Sequence, residues 1–132
     1  MILNLTQHAA TPDQIAAGVV DLPPAARATL SEWLTFDTCP YFSQVFDRAF
    51  LIAQAAAGGS IAFSGAIMPN QFKTAMIGGA PFLMGPLTGA LMDVGIDVCF
   101  AFSARVSVES VGPDGAVTKT AVFKHVGFVG PV

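Results

Sequence analysis

Hydrophobic and polar positions change their spacing along this chain, and the changes mark its secondary structure. Three short apolar segments, Ile2–Thr6, Thr74–Ile77 and Asp97–Ser103, are typical of buried strands. Arg105–Glu109 and Val117–Val126 alternate between apolar and polar residues, as the strands of an exposed antiparallel pair do. The pattern therefore predicts three core strands followed by a hairpin.

Three helices are predicted before the second core strand. The first begins at the N-cap Thr11 with Pro12 in its first position, and it ends near Gly18. Gln14 stands where its side chain can bond back to the cap, which completes a capping box. The second helix begins after Leu22-Pro23-Pro24 and carries its apolar residues on one face.

The third helix opens at Thr38-Cys39-Pro40 and stops at Gly58-Gly59, with apolar residues recurring near the helical period. Ser60–Met68 suits either a strand or a buried loop, and Pro69-Asn70 suits a turn. The pattern does not indicate the role of the apolar segment Ser60–Phe72.

A fourth helix, Pro81–Val94, follows the paired glycines Gly78-Gly79 and ends at Gly95. Pro86 lies inside this segment, so the helix is expected either to kink there or to begin there. A strand that turns into a helix through paired glycines lets a ligand approach bare backbone.

The turn of the predicted hairpin is Gly112-Pro113-Asp114-Gly115. This tetrapeptide suits a type I turn closed by a glycine in the left-handed region. Closing the hairpin there places Glu109 opposite Lys119 and Arg105 opposite Phe123.

The order strand, helices, strand, helix, strand, hairpin predicts a small Rossmann-like α/β fold. We expect a three-layer domain with a mixed sheet, parallel core strands and a C-terminal β-hairpin. The 132 residues suit one domain, 1–132, with one core. Right-handed crossovers place the carboxyl ends of the core strands at one edge of the sheet.

The candidate site lies at these strand ends, where polar or glycine-rich residues follow each core strand. The predicted ligand contacts are Thr6, Gln7, Gly78, Gly79, Ala80, Ser103 and Arg105. His8 is the candidate general acid or base. Backbone amides at the start of the helix after the glycines suit a negatively charged group.

Each of these residues also has a purely structural interpretation. Gly78-Gly79 can serve to turn tightly and pack the helix on the sheet, and His8 can cap a loop by hydrogen bonding. Arg105 can clamp a phosphate or carboxylate, or it can pair with Glu109. The sequence contains neither a GxGxxG pattern nor a P-loop, so a dinucleotide is not favoured.

The composition of the chain indicates whether it meets a membrane or another copy of itself. Hydrophobic residues make up 53% of it and charged residues 11%, so surface is expected to be buried against another copy or against lipid. Ala49–Phe72 and Thr74–Met92 are long enough to cross a bilayer, but glycine, proline and polar residues interrupt both. A membrane span is therefore not expected. The chain opens on a strand-like segment without a basic leader, which favours a cytoplasmic location.

Charge and metal-binding residues restrict the ligands. Six Lys and Arg against nine Asp and Glu give a net charge of −3, which leaves no polybasic surface for a long nucleic acid. A small phosphorylated ligand remains compatible with this charge. Cys39 and Cys99 are too few for a disulfide framework and are expected to be buried thiols. His8 and His125 lack carboxylates at ligand spacing, so we expect no metal site and no cofactor.

Several segments resemble a family of small, largely uncharacterised bacterial and phage proteins: NLTQHAATPDQ near the start, MIGGAPFLMGPL in the middle, and AFSARVSVE and TAVFKHVGFV near the end. More distantly, the layout and the strand ending in a polar-His loop are similar to small Rossmann-like CRISPR-accessory proteins that bind or cleave cyclic oligoadenylates. That resemblance implies a homodimer that holds a nucleotide across the strand ends. The implied contacts are His8, Gly78, Gly79, Ser103 and Arg105.

Three hypotheses for function follow. The chain is a ligand-binding protein that takes a nucleotide such as a cyclic oligoadenylate, with or without cleavage by a ribose 2′-hydroxyl. Alternatively, it is a noncatalytic protein-interaction or self-associating accessory protein, as eleven phenylalanines and five methionines indicate. The third hypothesis is an enzyme of unassigned chemistry that acts on a small molecule.

Overall fold

The computed structural model describes residues 1–58, 61–63, 65 and 72–130. The strands in this part of the chain are β1 (Ile2–Leu5), β2 (Val19–Asp21), β3 (Thr74–Ile77), β4 (Asp97–Val111) and β5 (Val117–Val129). Its helices are α1 (Pro12–Ala16), α2 (Pro24–Leu34), α3 (Phe42–Ala56) and α4 (Pro81–Asp93), with a 3₁₀ turn at Ile61–Phe63. The strands form a mixed sheet in the order β2-β1-β3-β4-β5, in which the β4–β5 pair is antiparallel and the other pairs are parallel. The predicted α/β class is confirmed.

The sheet separates two apolar layers of unequal size. Alternate residues of the parallel strands, among them Leu3, Ile77 and Val98, belong to the larger core under α2, α3 and α4. The intervening residues, among them Met76 and Cys99, belong to a smaller cluster on the opposite face. On that side lies the short helix α1, which packs against β2 and has no buried residue. The three predicted layers are present, but one of them is thin.

α1 begins with the predicted capping box. Thr11 Oγ1 accepts a hydrogen bond from the Gln14 N–H at 3.2 Å, and Gln14 Oε1 accepts one from the Thr11 N–H at 3.0 Å. Gly18 then adopts a φ of +103°, and the chain turns directly into β2. The sequence pattern does not predict β2, because its three residues are too few for a periodic signal.

β3 and α4 follow the predicted segments closely. β3 has the predicted bounds, and α4 ends one residue before the predicted Val94. The helix continues through Pro86, so it does not begin there. Leu83, Leu87 and Leu91 lie four residues apart and are fully buried, which fixes one face of α4 against the larger core.

α2 and α3 form the rest of the layer over the larger core. α3 begins at Phe42, just after the predicted opening at Thr38-Cys39-Pro40. Trp33 of α2 stacks on Phe63 of the 3₁₀ turn, with ring centroids 5.8 Å apart. The predictions for Ser60–Met68 and Pro69-Asn70 lie largely outside the described residues.

β4 and β5 form a long two-stranded arm. Residues Asp97–Cys99 of β4 pair with β3, whereas β4 from Phe100 onward pairs with β5. The prediction that this core strand ends at Ser103 is wrong, because β4 continues to Val111. Val126 of β5 has no partner in the ladder, and this extra residue accommodates the register shift at Ser103.

The predicted hairpin turn and register are confirmed. Glu109 lies opposite Lys119, and Arg105 lies opposite Phe123. The Gly112 N–H donates to the Ala116 carbonyl at 2.8 Å, and Gly115 has the expected positive φ of +79°. The loop chemistry of the turn thus sets the register of the whole arm.

The apolar residues of the chain lie partly in the core and partly on the surface. No helix in the described ranges is long and apolar enough to cross a membrane. Large apolar side chains lie on the surface of α3 and the arm, for example Phe42 at 73% and Phe123 at 76% exposed. Cys99 is buried as predicted, but Cys39 is exposed because it lies in the polar loop before α3.

Candidate functional site

A cavity opens where the strand order of the sheet reverses. The chain passes from β1 to β2 on one side and then crosses to β3 on the other side of β1. In open α/β sheets, ligands bind outside the carboxyl ends of the strands at such a reversal. The cavity encloses about 410 Å³, within the range of about 300–1,000 Å³ that is usual for small-molecule sites. Its lining residues are Thr6, Gln7, His8, Ala9, Thr11, Gln14, Met76, Ile77, Gly78, Gly79, Phe100 and Ala101.

The loop after β1 is held in place by a buried asparagine. Asn4 is 3% exposed, and its Nδ2 donates to the His8 carbonyl at 2.8 Å and to Asp21 Oδ1 at 2.7 Å. Its Oδ1 accepts from the Thr6 N–H at 2.9 Å and from the Thr6 hydroxyl at 2.7 Å. Asp21 Oδ1 also accepts from the Ala10 N–H at 3.0 Å. Because the whole side chain of Asn4 is satisfied, the network fixes the loop that forms one wall of the cavity.

The turn after β3 forms the facing wall and presents backbone. Gly79 has a φ of +144°, a conformation that favours glycine. At Gly78, an added Cβ would lie 3.6 Å from Thr6 Cγ2, which is an ordinary contact, so packing does not require a glycine there. Within the described residues, the N–H groups of Gly79 and Ala80 donate no hydrogen bond. Both stand at the start of α4, where the helix dipole favours negative charge.

The cavity brings together residues from two of the three predicted strand ends. Thr6, Gln7, His8, Gly78 and Gly79 all line it. Ala80, the N-cap of α4, was also predicted as a contact. It directly follows Gly79 in the turn but is not among the residues that line the cavity.

Ser103 and Arg105 lie outside the lining of the cavity. β4 does not end beside the cavity but continues into the arm, and its lining residues are Phe100 and Ala101. Arg105 is four residues beyond Ala101, about 13 Å along an extended strand. The third strand end thus contributes an aromatic ring and backbone in place of the expected hydroxyl and guanidinium.

The cavity is nearly free of charge. His8 is the one titratable side chain among its lining residues. Two cations of the chain are engaged elsewhere: Arg48 donates to carbonyls at the end of α2, and Lys119 pairs with Glu109 at 3.6 Å on the arm. Among the described residues, no group of three His, Cys, Asp or Glu side chains could hold a metal ion. A bound anion would therefore be held by N–H groups and neutral side chains.

The sequence analysis missed four residues that form or support the cavity but belong to no recognisable catalytic or binding motif. Asn4 has a signal, since it is a polar residue in an apolar strand whose side chains are all buried. Asp21 has none, because its role depends on the unpredicted strand β2. Phe100 and Ala101 enter the site because the arm leaves the sheet beside the cavity.

Of the comparisons with known proteins, the one with protein families gives a match and the others give none. No curated protein and no solved structure matches it significantly. A family model matches residues 1–129, nearly the whole length. The chain belongs to the family described as Uncharacterized protein MJ1673 family.

Proposed function

We propose that the protein binds a small phosphorylated ligand in the cavity between the ends of β1 and β3. The observation that carries this proposal is the position of the cavity at the reversal of strand order. The loop held by Asn4 and the turn at Gly78-Gly79 face each other across it. Hydrogen bonds of Asn4 hold the first wall in place, and a wall fixed in this way lowers the entropic cost of binding.

The chemistry of the two walls favours an oxyanion of the ligand. The N–H groups of Gly79, which lines the cavity, and of the adjacent Ala80, which does not, lack protein partners among the described residues and stand at the start of the 13-residue helix α4. Gln7 and His8 on the opposite wall add side chains that can donate hydrogen bonds. Among the described residues, no carboxylate lines the cavity to repel an anion.

The remaining surface of the cavity suits a nucleobase. Phe100 lines the cavity and is 36% exposed, and a planar base can stack on an aromatic ring. We therefore propose a nucleotide as the ligand, with one nucleotide unit of an oligoadenylate as a specific candidate. The likeness of the strand and polar-His loop to cyclic-oligoadenylate proteins supports this choice of candidate.

Binding without cleavage is the function that the geometry supports. Cleavage by a ribose 2′-hydroxyl needs stabilisation of negative charge as well as an acid or base. His8 can act as the acid or base, but Arg105 lies about 13 Å beyond the cavity lining along β4. The cavity thus contains the candidate acid or base and the backbone of Gly79, but not the guanidinium that the cleavage hypothesis uses to stabilise negative charge.

Titration calorimetry with AMP, ATP and a cyclic oligoadenylate tests the proposal. We expect Gly78→Ala to weaken binding at least tenfold, because the new methyl group lies between the two walls beside Thr6. The same variant should unfold at the same temperature as the natural chain, since the Cβ meets no close contact. Arg105→Ala is the matched control and should bind as tightly as the natural chain.

Two results would overturn the proposal. One is the absence of binding by the natural chain to any of these nucleotides at millimolar concentration. The other is an unchanged affinity of Gly78→Ala together with loss of binding in Arg105→Ala, which would move the site to the arm. Gly79→Ala is not a substitute for the first variant, because its φ of +144° strains any side chain.

A further inference from the structure

The two faces of the arm differ in chemistry. Between the register shift and the turn, one face carries the charged residues Arg105, Glu109 and Lys119 together with the apolar residues Val111, Val117 and Phe123. The other face carries Val106 opposite Val122 and Val108 opposite Thr120. We call this second face the apolar arm face; it consists of Ala104, Val106, Val108, Ser110, Thr118, Thr120, Val122 and Lys124. In this described part of the arm, Lys124 is the one charged residue of that face, whereas three charged residues lie on the other.

The body of the same chain does not cover the apolar arm face. Val106, Val108 and Val122 are 39%, 46% and 42% exposed. The part of β4 beyond its pairing with β3 extends from Cys99 to Val111, about 40 Å at the rise of an extended strand. By comparison, the 15-residue helix α3 is about 22 Å long, roughly half the length of the arm. A two-stranded ribbon of this length is marginally stable alone, so a layer from outside the chain would stabilise it.

A second uncovered apolar surface lies between α3 and α4. Phe42, Phe46 and Phe50 form one wall at intervals of four residues, and they are 73%, 56% and 59% exposed. The other wall is low, because Gly85 and Gly89 of α4 have no side chains. The space between the walls is about 730 Å³. We call it the phenylalanine groove; an exposed apolar surface of this kind marks an interaction site.

The charges of these two surfaces are complementary. Asp47 and Asp93 line the phenylalanine groove, and its lining in the described part of the chain includes no Lys or Arg. The apolar arm face carries Lys124, opposite Ala104, and no acidic residue. Two grooves packed together would oppose carboxylates, and two arm faces would oppose lysines. An arm in a groove instead joins opposite charges across an apolar contact.

We infer that the arm of one copy lies in the phenylalanine groove of a second copy. Reciprocal exchange about a two-fold axis closes the assembly as a dimer, because the arm and the groove of both copies are then occupied. The proposal concerns surfaces that do not line the nucleotide cavity, so it stands or fails independently of the proposed function.

Size-exclusion chromatography with light scattering tests this inference. We expect a dimer for the natural chain and a monomer for Val108→Asp on the arm and for Phe46→Asp in the groove. Ser107→Asp is the matched control, because it adds the same charge one residue away on the opposite face of the arm. It should remain a dimer. Because all three positions are exposed, circular dichroism should show the natural fold for each variant.

The two monomeric variants, alone and mixed, separate this arrangement from the symmetric alternatives. Val108→Asp keeps an intact groove and Phe46→Asp keeps an intact arm, so one native arm-in-groove contact can form between them. We expect the mixture to give a heterodimer that dissociates at least tenfold more readily than the natural dimer. Arm-on-arm packing predicts instead that Phe46→Asp alone stays a dimer, and groove-on-groove packing predicts the same of Val108→Asp. A monomeric natural chain, dimeric single variants or a monomeric mixture would each overturn the inference.

Charge exchange provides a second test of the same contact. Lys124→Glu should weaken the dimer at least tenfold, because it places a carboxylate against Asp47 and Asp93. Adding Asp47→Lys and Asp93→Lys to the same chain should restore association, since opposite charges again meet. Failure of these compensating changes to restore the dimer would contradict the proposed contact.

Discussion

Asn4 shows how one buried polar side chain can position a wall of the cavity. Its side chain accepts two hydrogen bonds from Thr6 and donates one to the His8 carbonyl and one to Asp21 at the end of β2. Asp21 in turn accepts from the Ala10 N–H. We expect Asn4→Ala to lower the free energy of unfolding by about 3 kcal/mol, because it leaves buried polar partners unsatisfied. Urea denaturation measures this change.

The control for Asn4 is Gln7→Ala. Gln7 Nε2 donates to Thr35 Oγ1 at 2.9 Å, but this hydrogen bond is exposed to solvent. Its loss should cost less than about 1 kcal/mol, since water replaces the lost partner. Equal stabilities of Asn4→Ala and the natural chain would show that the network does not hold the loop.

The two cysteines should differ in reactivity and in their effect on stability. Burial raises the pKa of the Cys99 thiol from 9.0 to about 11. The unfolded chain therefore loses this proton at lower pH than the folded chain does. Stability is retained below pH 9 and falls between pH 9 and about 11, by at most about 1.4 kcal/mol per pH unit.

Denaturation of the natural chain and of Cys99→Ala across this pH interval measures the contribution of Cys99. We expect the variant to be less stable at neutral pH and to lack this part of the pH dependence. Iodoacetamide should modify the exposed Cys39 in the native protein and both cysteines after denaturation. Modification of Cys99 as fast as Cys39 in the native protein would contradict its burial.

At the scale of elements, Arg48 joins α3 to the end of α2. Its Nη1 donates to the carbonyls of Glu32, Trp33 and Thr35 at 2.9, 3.0 and 3.0 Å. The guanidinium carbon also lies 4.9 Å from the centroid of the Phe36 ring. The positive charge thus lies among carbonyls at the C-terminal end of α2, where the helix dipole favours a cation; the Glu32 carbonyl also accepts from the Thr35 N–H at 3.2 Å.

We expect Arg48→Ala to lower the free energy of unfolding by about 2 kcal/mol, because charge-assisted hydrogen bonds and a ring contact are lost together. Arg48→Lys should lose a smaller part, since an ammonium keeps the charge but not the planar stacking. Thermal unfolding monitored by circular dichroism ranks the variants. Arg27→Ala is the control, because among the described residues Arg27 makes no hydrogen bond or ion pair through its side chain. Equal losses for Arg27→Ala and Arg48→Ala would refute the assigned role.

Elements whose signals are local were predictable from the sequence. The capping box at Thr11, the buried strand β3 and the turn at Gly115 each depend on residues within a few positions of one another. β2 and the full length of β4 were not predictable. β2 exists because its three residues pair with β1, and the length of β4 depends on its pairing with β5 past Val126.

At the scale of the molecule, the candidate site was partly predictable for the same reason. The rule that parallel strands end at one edge correctly placed His8 beside Gly78. It failed for Arg105, because it assumes that each strand ends at the edge, whereas β4 continues into the arm. The network between Asn4 and Asp21 was also beyond prediction, because it requires the position of β2.

Hydrogen exchange should divide the molecule into a stable body and an arm whose protection depends on association. β1 is buried throughout, whereas β4 beyond Cys99 is exposed along almost its whole length. Opening the arm of a single copy breaks little more than its own ladder, so amides in 103–111 should exchange faster than those of β1. If a second copy covers the apolar arm face, raising the protein concentration slows exchange in the arm by mass action. β1 should be unaffected, and Val108→Asp should abolish the concentration dependence. An arm that exchanges at the same rate at every concentration in the natural chain would show that no second copy covers it.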